Sequence, residues 1–303
     1  MRTMEEEPTT IDLTELERTP APKARVGSRA RVRRIVGVVA VGVAAFIGLF
    51  LLYFFGASRI TEIRSQRLLL PEFRSLTQQG PASVADWQPA PGQPVALLSI
   101  PSIGVQQIVV EGTSASDLTR GPGHYPGSPL PGRAGNSVIA GRRSAFGGPF
   151  HSIGTLQPGD TVEVATGQGA FTYTVGSVGS VMPGQADVIG GSTTNQLTPV
   201  TSTPAYRASG RLVVVAKLTT APAPGPAAVV PVVPQDQTGL AGEPGAAAPL
   251  LLWLEVLAAA GVAAVWYSRR ISPRVARLLM TPIAVALLWA IFAMLARLLP
   301  ATL

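Results

Sequence analysis

The strand-like run "SVIAG", residues 137–141, breaks into a glycine-punctuated loop, and two arginines, Arg142 and Arg143, stand at the break. Strand-end loops are a common seat for catalytic groups, because a rigid element aims a side chain that the loop leaves reachable. A guanidinium there can hold a developing oxyanion or another anion. It has no acceptor atom and keeps its proton to above pH ~12, so it is no general base. Groups that could take a proton are few: the chain has two histidines, His124 in "GPGHYP" and His151 in "PFHSIG", and no cysteine. Thiol chemistry is excluded. With only two histidines and no cysteine a zinc site is not expected, a carboxylate-held metal is left open, and no cofactor is expected. His124, set among prolines and glycines, reads as the brace of a turn, with service as a base the alternative. His151 reads as a surface-loop residue. The glycine-rich pieces lack the strand-to-helix setting of a phosphate loop and read as turns.

The elements that must position these groups are short strands. From Val95 onward "VALLSI", "QQIVVEG", "NSVIAG", "DTVEVAT", "AFTYTVGSV" and "RLVVVAKL" are apolar or alternating runs separated by glycine and proline. No amphipathic helix lies between them, so an antiparallel barrel or sandwich is expected rather than parallel βαβ units. Without cysteine this β domain, residues 94–218, must be held by its core alone.

The rest of the chain is organised around three apolar spans. Residues 35–58 contain no charge, residues 246–268 only Glu255, and a third span covers 278–299, closed by Arg297. Each is long enough to cross a bilayer. Six basic residues precede the first span between Lys23 and Arg34, and four arginines lie in "SRRISPRVAR", within or beside the loop 269–277. Basic flanks favour the cytoplasmic side, so the first span runs outward, the second returns and the third exits, which leaves the β domain extracytoplasmic in a multi-pass membrane protein. The first span reads as a retained anchor rather than a cleaved signal, and Glu255 as an interfacial or helix-contacting carboxylate. Residues 1–34 read as a disordered cytoplasmic tail. Residues 59–93 read as a stalk and connector, with Ile60, Ile63, Leu68 and Leu69 near helical spacing. The proline- and alanine-rich stretch 219–245 reads as a semi-rigid linker. Ten of the 24 basic residues belong to the two membrane flanks, so the net charge of +7 is no sign of nucleic-acid binding.

With "PSIGV", "VVEGT", "GPGHYP" and "GNSVIAG" in that order, and "RLVVVAKL" at the end, residues 94–218 resemble the sortases of actinobacteria, particularly class E. The resemblance implies an eight-stranded sortase β-barrel. It also implies an enzyme that cuts a sorting signal such as LPXTG and transfers the new carboxyl end to an amine, using a histidine, a cysteine and an arginine. The family's histidine follows the strand that here reads "SVIAG", and Arg142 occupies its place, with Arg143 matching the next family residue. The family's cysteine closes a strand that here reads "QLTPVTS", which puts Ser202 in its position. The family's arginine falls on Arg211. Arg142, Ser202 and Arg211 are thus the catalytic positions, of which one keeps its residue, and His124, Arg143 and Tyr206 are candidates for contact with a substrate.

A serine hydroxyl needs an adjacent base to act as a nucleophile, and an arginine supplies none. The first expectation is therefore a catalytically inactive, membrane-anchored pseudo-sortase that binds a sorting-signal peptide, a cell-wall component or a surface protein. An active transpeptidase or hydrolase using Ser202, with a base from His124, Asp187 or a partner chain, is the alternative. A structural subunit of a membrane complex is a third reading, since "EVLAAAGVAAVW" would allow close helix packing. Oligomeric state is left open. Pro199 lacks a ladder donor and is expected to bend or shorten the strand that presents Ser202.

Overall fold

The computed structural model describes residues 27–78, 87–182, 194–206, 209–225, 242–270 and 273–303. The chain divides into two compact units, Met1–Gly48 and Leu49–Leu303. In the first, the described residues belong to α1 (Gly27–Leu52), so the segment expected as a tail is helical from Gly27. In the second, a π-helical turn (Tyr53–Ala57) leads into α2 (Ser58–Gln78), followed by an eight-stranded β domain and the helices α3 (Ala247–Arg270) and α4 (Pro273–Leu298). Three helical stretches, Arg31–Gln78, Pro244–Arg270 and Pro273–Leu298, are long and apolar enough to cross a membrane.

The strands are β1 (Pro94–Ile100), β2 (Val105–Glu111), β3 (Gly123–His124), β4 (Asn136–Ala140), β5 (Thr161–Thr166), β6 (Gly169–Val181), β7 (Gln196–Thr203) and β8 (Gly210–Leu218). They close into a barrel in the order β1-β2-β3-β4-β7-β8-β6-β5. The alternation in "TVEVAT" does what alternation predicts: Val162 and Val164 face the core while Thr161 and Glu163 face out. The core joins Leu98, Ile100, Ile139, Phe150, Val164, Tyr173, Leu197 and Val214. The sheet is mixed rather than antiparallel throughout, because β2–β3 and β4–β7 pair in parallel. The β2–β3 connection holds a single 3-10 turn, Asp117–Thr119, and the β4–β7 connection contains β5 and β6, so the lack of α-helices did not exclude parallel pairs. At two residues, β3 is too short to show any period.

Pro199 does not break its strand. β7 runs unbroken for eight residues between β4 and β8, and its β8 register skips only Thr198 and Pro199 before resuming at Val200↔Val213. Two neighbouring ladders hold the strand straight through the missing donor.

α2 packs on β2 instead of standing free. Its inward face is Glu62, Gln66, Leu69 and Phe73, spaced four, three and four; Ile60 and Leu68 are exposed. Leu69 and Phe73 cluster with Ile108 and Val110. The Gln66 amide donates to the carbonyls of Ile108 (3.0 Å) and Arg120 (2.8 Å), and its oxygen accepts from the Ile108 N–H (2.7 Å). It thus serves the outward backbone of β2 much as an adjoining strand would. The first residues of the expected linker also lie on the barrel, where the Ala223 N–H donates to the Gly132 carbonyl at 2.8 Å.

Candidate functional site

Parallel pairing of β4 with β7 places the ends of both strands at one end of the barrel. Because β8 runs antiparallel to β7, it begins at that same end, and Ser202 and Arg211 are direct cross-strand partners. Topology therefore gathers Gly141–Arg143, Ser202 and Arg211, which lie up to 70 residues apart in the chain. The Gly141 N–H donates to the Val200 carbonyl (3.0 Å) and Thr201 Oγ1 donates to the Gly141 carbonyl (2.7 Å), fixing the loop start against β7.

Arg142 is enclosed completely, at 0% exposure. Its Nε donates to the Leu118 carbonyl (3.2 Å) and its Nη2 to the Ala115 carbonyl (2.9 Å), and the guanidinium lies over the Phe146 ring, 4.6 Å from the centroid. Nη1 is buried without a partner. Burial lowers the guanidinium to about 9, still high enough to keep it charged at neutral pH. Arg142 is thus a cross-brace between the end of β4 and the 115–118 turn.

Arg143 takes a different direction: its Nη1 donates to the Ser202 carbonyl at 2.9 Å. Ser202 is itself fully buried, and its Oγ donates to the Thr302 carbonyl at 3.0 Å. Burial lowers the Arg211 guanidinium, with nearby Tyr125 acting in the opposite sense. Tyr206 lies beyond the end of β7, 70% exposed, edge-on to Phe55 with ring centroids 5.7 Å apart.

His124 is engaged elsewhere. Its Nδ1 meets the Glu111 carboxylate at 2.7 Å, and its Nε2 lies 3.0 Å from both the Pro129 carbonyl and Ser128 Oγ. Ser128 Oγ in turn donates to the Tyr125 carbonyl and accepts from the Val138 N–H. This buried network clamps "GPGHYPGSP" onto β2 and β4. His151 lies in an exposed turn, its Nδ1 3.2 Å from the Arg143 carbonyl. Asp187 lies outside the described residues.

One participant was missed in reading the sequence. The segment Leu299–Leu303, whose first residue closes the expected third span, reaches the strand ends and meets Ser202 and the 143–145 loop. Glu111 and the 115–118 carbonyls were also passed over, since nothing in their sequence context points to the partners they acquire.

The closed eight-stranded barrel is that of a sortase-like domain. The comparisons agree: residues 98–219 match the family model described as the sortase domain. Sortase D of Bacillus subtilis strain 168 is 37% identical over 91 residues, which is 30% of this chain and 44% of that protein. Sortase SrtE1 of Streptomyces coelicolor is 35% identical over 130 residues, 41% of this chain and 35% of that protein. Among solved structures, a Clostridium perfringens Sortase D5 transpeptidase is 25% identical, with 53% of this chain and 99% of that chain covered and a TM-score of 0.45. The chain spans less than half the length of the curated relatives it matches. The sortase family is the one its relatives support.

Proposed function

We propose that the chain is a membrane-anchored, extracytoplasmic pseudo-sortase, whose barrel recognises an extended peptide of the sorting-signal kind and does not cleave it. One observation carries the reading. At the two positions that the resemblance assigns to base and nucleophile stand a fully buried arginine, spent on backbone carbonyls, and a serine whose hydroxyl donates to a peptide carbonyl. A nucleophilic serine must hand its proton to a base. No histidine or carboxylate is hydrogen-bonded to Ser202 Oγ among the described residues, and His124 is taken up by Glu111. What these residues can do is hold carbonyls, through Ser202 Oγ and the N–H groups of the 143–145 loop. The multi-pass placement rests on the basic flanks at 23–34 and 269–277.

The test is cleavage and transfer of fluorogenic LPXTG-type peptides by the full chain in detergent, beside an Arg142→His/Ser202→Cys double variant. The expected result is no turnover by the native chain. Turnover that disappears in Ser202→Ala would overturn the reading in favour of a serine enzyme.

A further inference from the structure

The strand-end site is occupied, and the occupant is the chain itself. Ala301 is fully enclosed with Ala115, Leu118 and Ala140, and Thr302 is 2% exposed. The Thr302 carbonyl accepts from Ser202 Oγ and from the Arg143 N–H, both at 3.0 Å. A main-chain oxygen of Leu303 accepts from the N–H groups of Ser144 and Ala145, both at 3.2 Å, and the Leu303 N–H turns back to the Pro300 carbonyl at 3.1 Å. These bonds come from the loop after β4 and the end of β7, and they read the backbone of the segment. The same donors would serve a peptide supplied by another protein. The segment is also a Leu-Pro-x-Thr sequence, Leu299-Pro300-Ala301-Thr302, and it is the threonine carbonyl that faces the hydroxyl at the nucleophile position.

Its delivery is built into the helices. Arg297, one residue before the end of α4, donates through Nη2 (2.6 Å) and Nε (3.0 Å) to the Glu243 carboxylate, and the Glu243 N–H donates to the Arg297 carbonyl at 2.8 Å. Earlier in α4, Trp289 meets Tyr53 of the π-helical turn edge-on, with centroids 5.0 Å apart. The end of α4 is fixed, so the segment is tethered beside its site with almost no slack, which gives it a high effective concentration there. The Thr302 hydroxyl is nevertheless buried without a partner, which weakens the hold.

We propose that Leu299–Leu303 is a built-in pseudosubstrate, the resident ligand of the cleft, and that a peptide from another protein enters only when this segment leaves. The identity of the incoming peptide rests on the functional reading above; the self-occupancy does not. A competing ligand meets a site that is free for only a fraction of the time, and its apparent affinity falls by that fraction.

The experiment compares the full chain with a variant lacking residues 299–303 and with Ala301→Arg, all in detergent, by amide hydrogen exchange and by binding of a fluorescein-labelled Leu-Pro-Ala-Thr-Leu peptide. Slow exchange of the Val213–Ala216 amides of β8 certifies a folded barrel in each. In both variants the amides of Arg143, Ser144 and Ala145 should exchange at least ~10-fold faster than in the native chain, and the peptide should bind at least ~10-fold more tightly. Unchanged exchange at 143–145 in the shortened chain overturns the proposal, as does equal peptide affinity for all three proteins. If the amides open but no variant binds the peptide, the segment is still the resident ligand, and it is the recognition of outside peptides that fails.

Discussion

Glu62 offers the sharpest quantitative test of how α2 is seated on the barrel. It lies past the apolar stretch, on a helix with six charged residues, and is 4% exposed. Its Oε1 accepts from Gln107 Nε2 at 2.7 Å. Burial raises its carboxyl from 4.5 to about 7, with Arg59 acting in the opposite sense. The rise from 4.5 to about 7 corresponds to ~3 kcal/mol if fully expressed as differential stability. An open groove of ≈ 680 Å³, lined by Arg59, Gln66 and Gln107, runs beside the carboxyl and admits water. Roughly half the effect, about 1–2 kcal/mol, is then the reasonable expectation. The folded protein binds this proton more tightly than the unfolded chain does. The contribution of Glu62 to stability is therefore fully present below pH 4.5 and is lost as the pH rises through about 7. Glu62→Gln removes the titration and keeps an oxygen for Gln107. Thermal unfolding followed by circular dichroism in detergent should find the two proteins within ~0.5 kcal/mol at pH 4 and the variant ahead by ~1–2 kcal/mol at pH 8.5, a rise of about 2–8 °C in Tm. A difference of the same size at both pH values, or a variant less stable at pH 8.5, would show that the carboxyl is not held out of water.

Three further outcomes are expected from the packing. Arg142→Ala strips the Ala115 and Leu118 carbonyls of their donors and should lower stability by about 3 kcal/mol or more, whereas Arg142→Met, which also removes a buried cation, should cost less in the same unfolding assay. Gly132 and Gly104 both have positive φ, but a Cβ at Gly132 would lie 2.3 Å from the Phe171 ring while one at Gly104 meets nothing. Gly104→Ala should therefore cost ~1–2 kcal/mol, the backbone term alone, and Gly132→Ala distinctly more, read as a larger fall in Tm. Tyr173 Oη accepts from the Gly132 N–H at 2.7 Å, so Tyr173→Phe should cost ~1–3 kcal/mol with the barrel still folded by circular dichroism.

The β domain was legible because its strands carry their own signal. "TVEVAT" and "FTYTV" alternate, and their Val162, Val164, Phe171 and Tyr173 are the ones enclosed in the core. The apolar spans were legible because a 24-residue uncharged run is a local property. The absence of cysteine was also legible, since it needs only residue identities. The α2 stripe was misjudged because the inward face holds Glu62 and Gln66, polar residues whose partners are backbone and side-chain groups of β2, contributed from 42 to 45 residues away. Pro199 was weighed as a local defect, whereas its strand is held by neighbours on both sides.

Composition and order thus determined three apolar spans and a cysteine-free β domain of short strands. Those are statements about residue types and local periods, which a sequence carries in full. Only the tertiary structure decided that adjacent arginines part company, Arg142 into the interior and Arg143 to the Ser202 carbonyl. It alone placed Thr302, 100 residues from Ser202, against that hydroxyl. Side-chain direction and long-range contact depend on which strands pair and where a distant helix ends, and no local pattern encodes either.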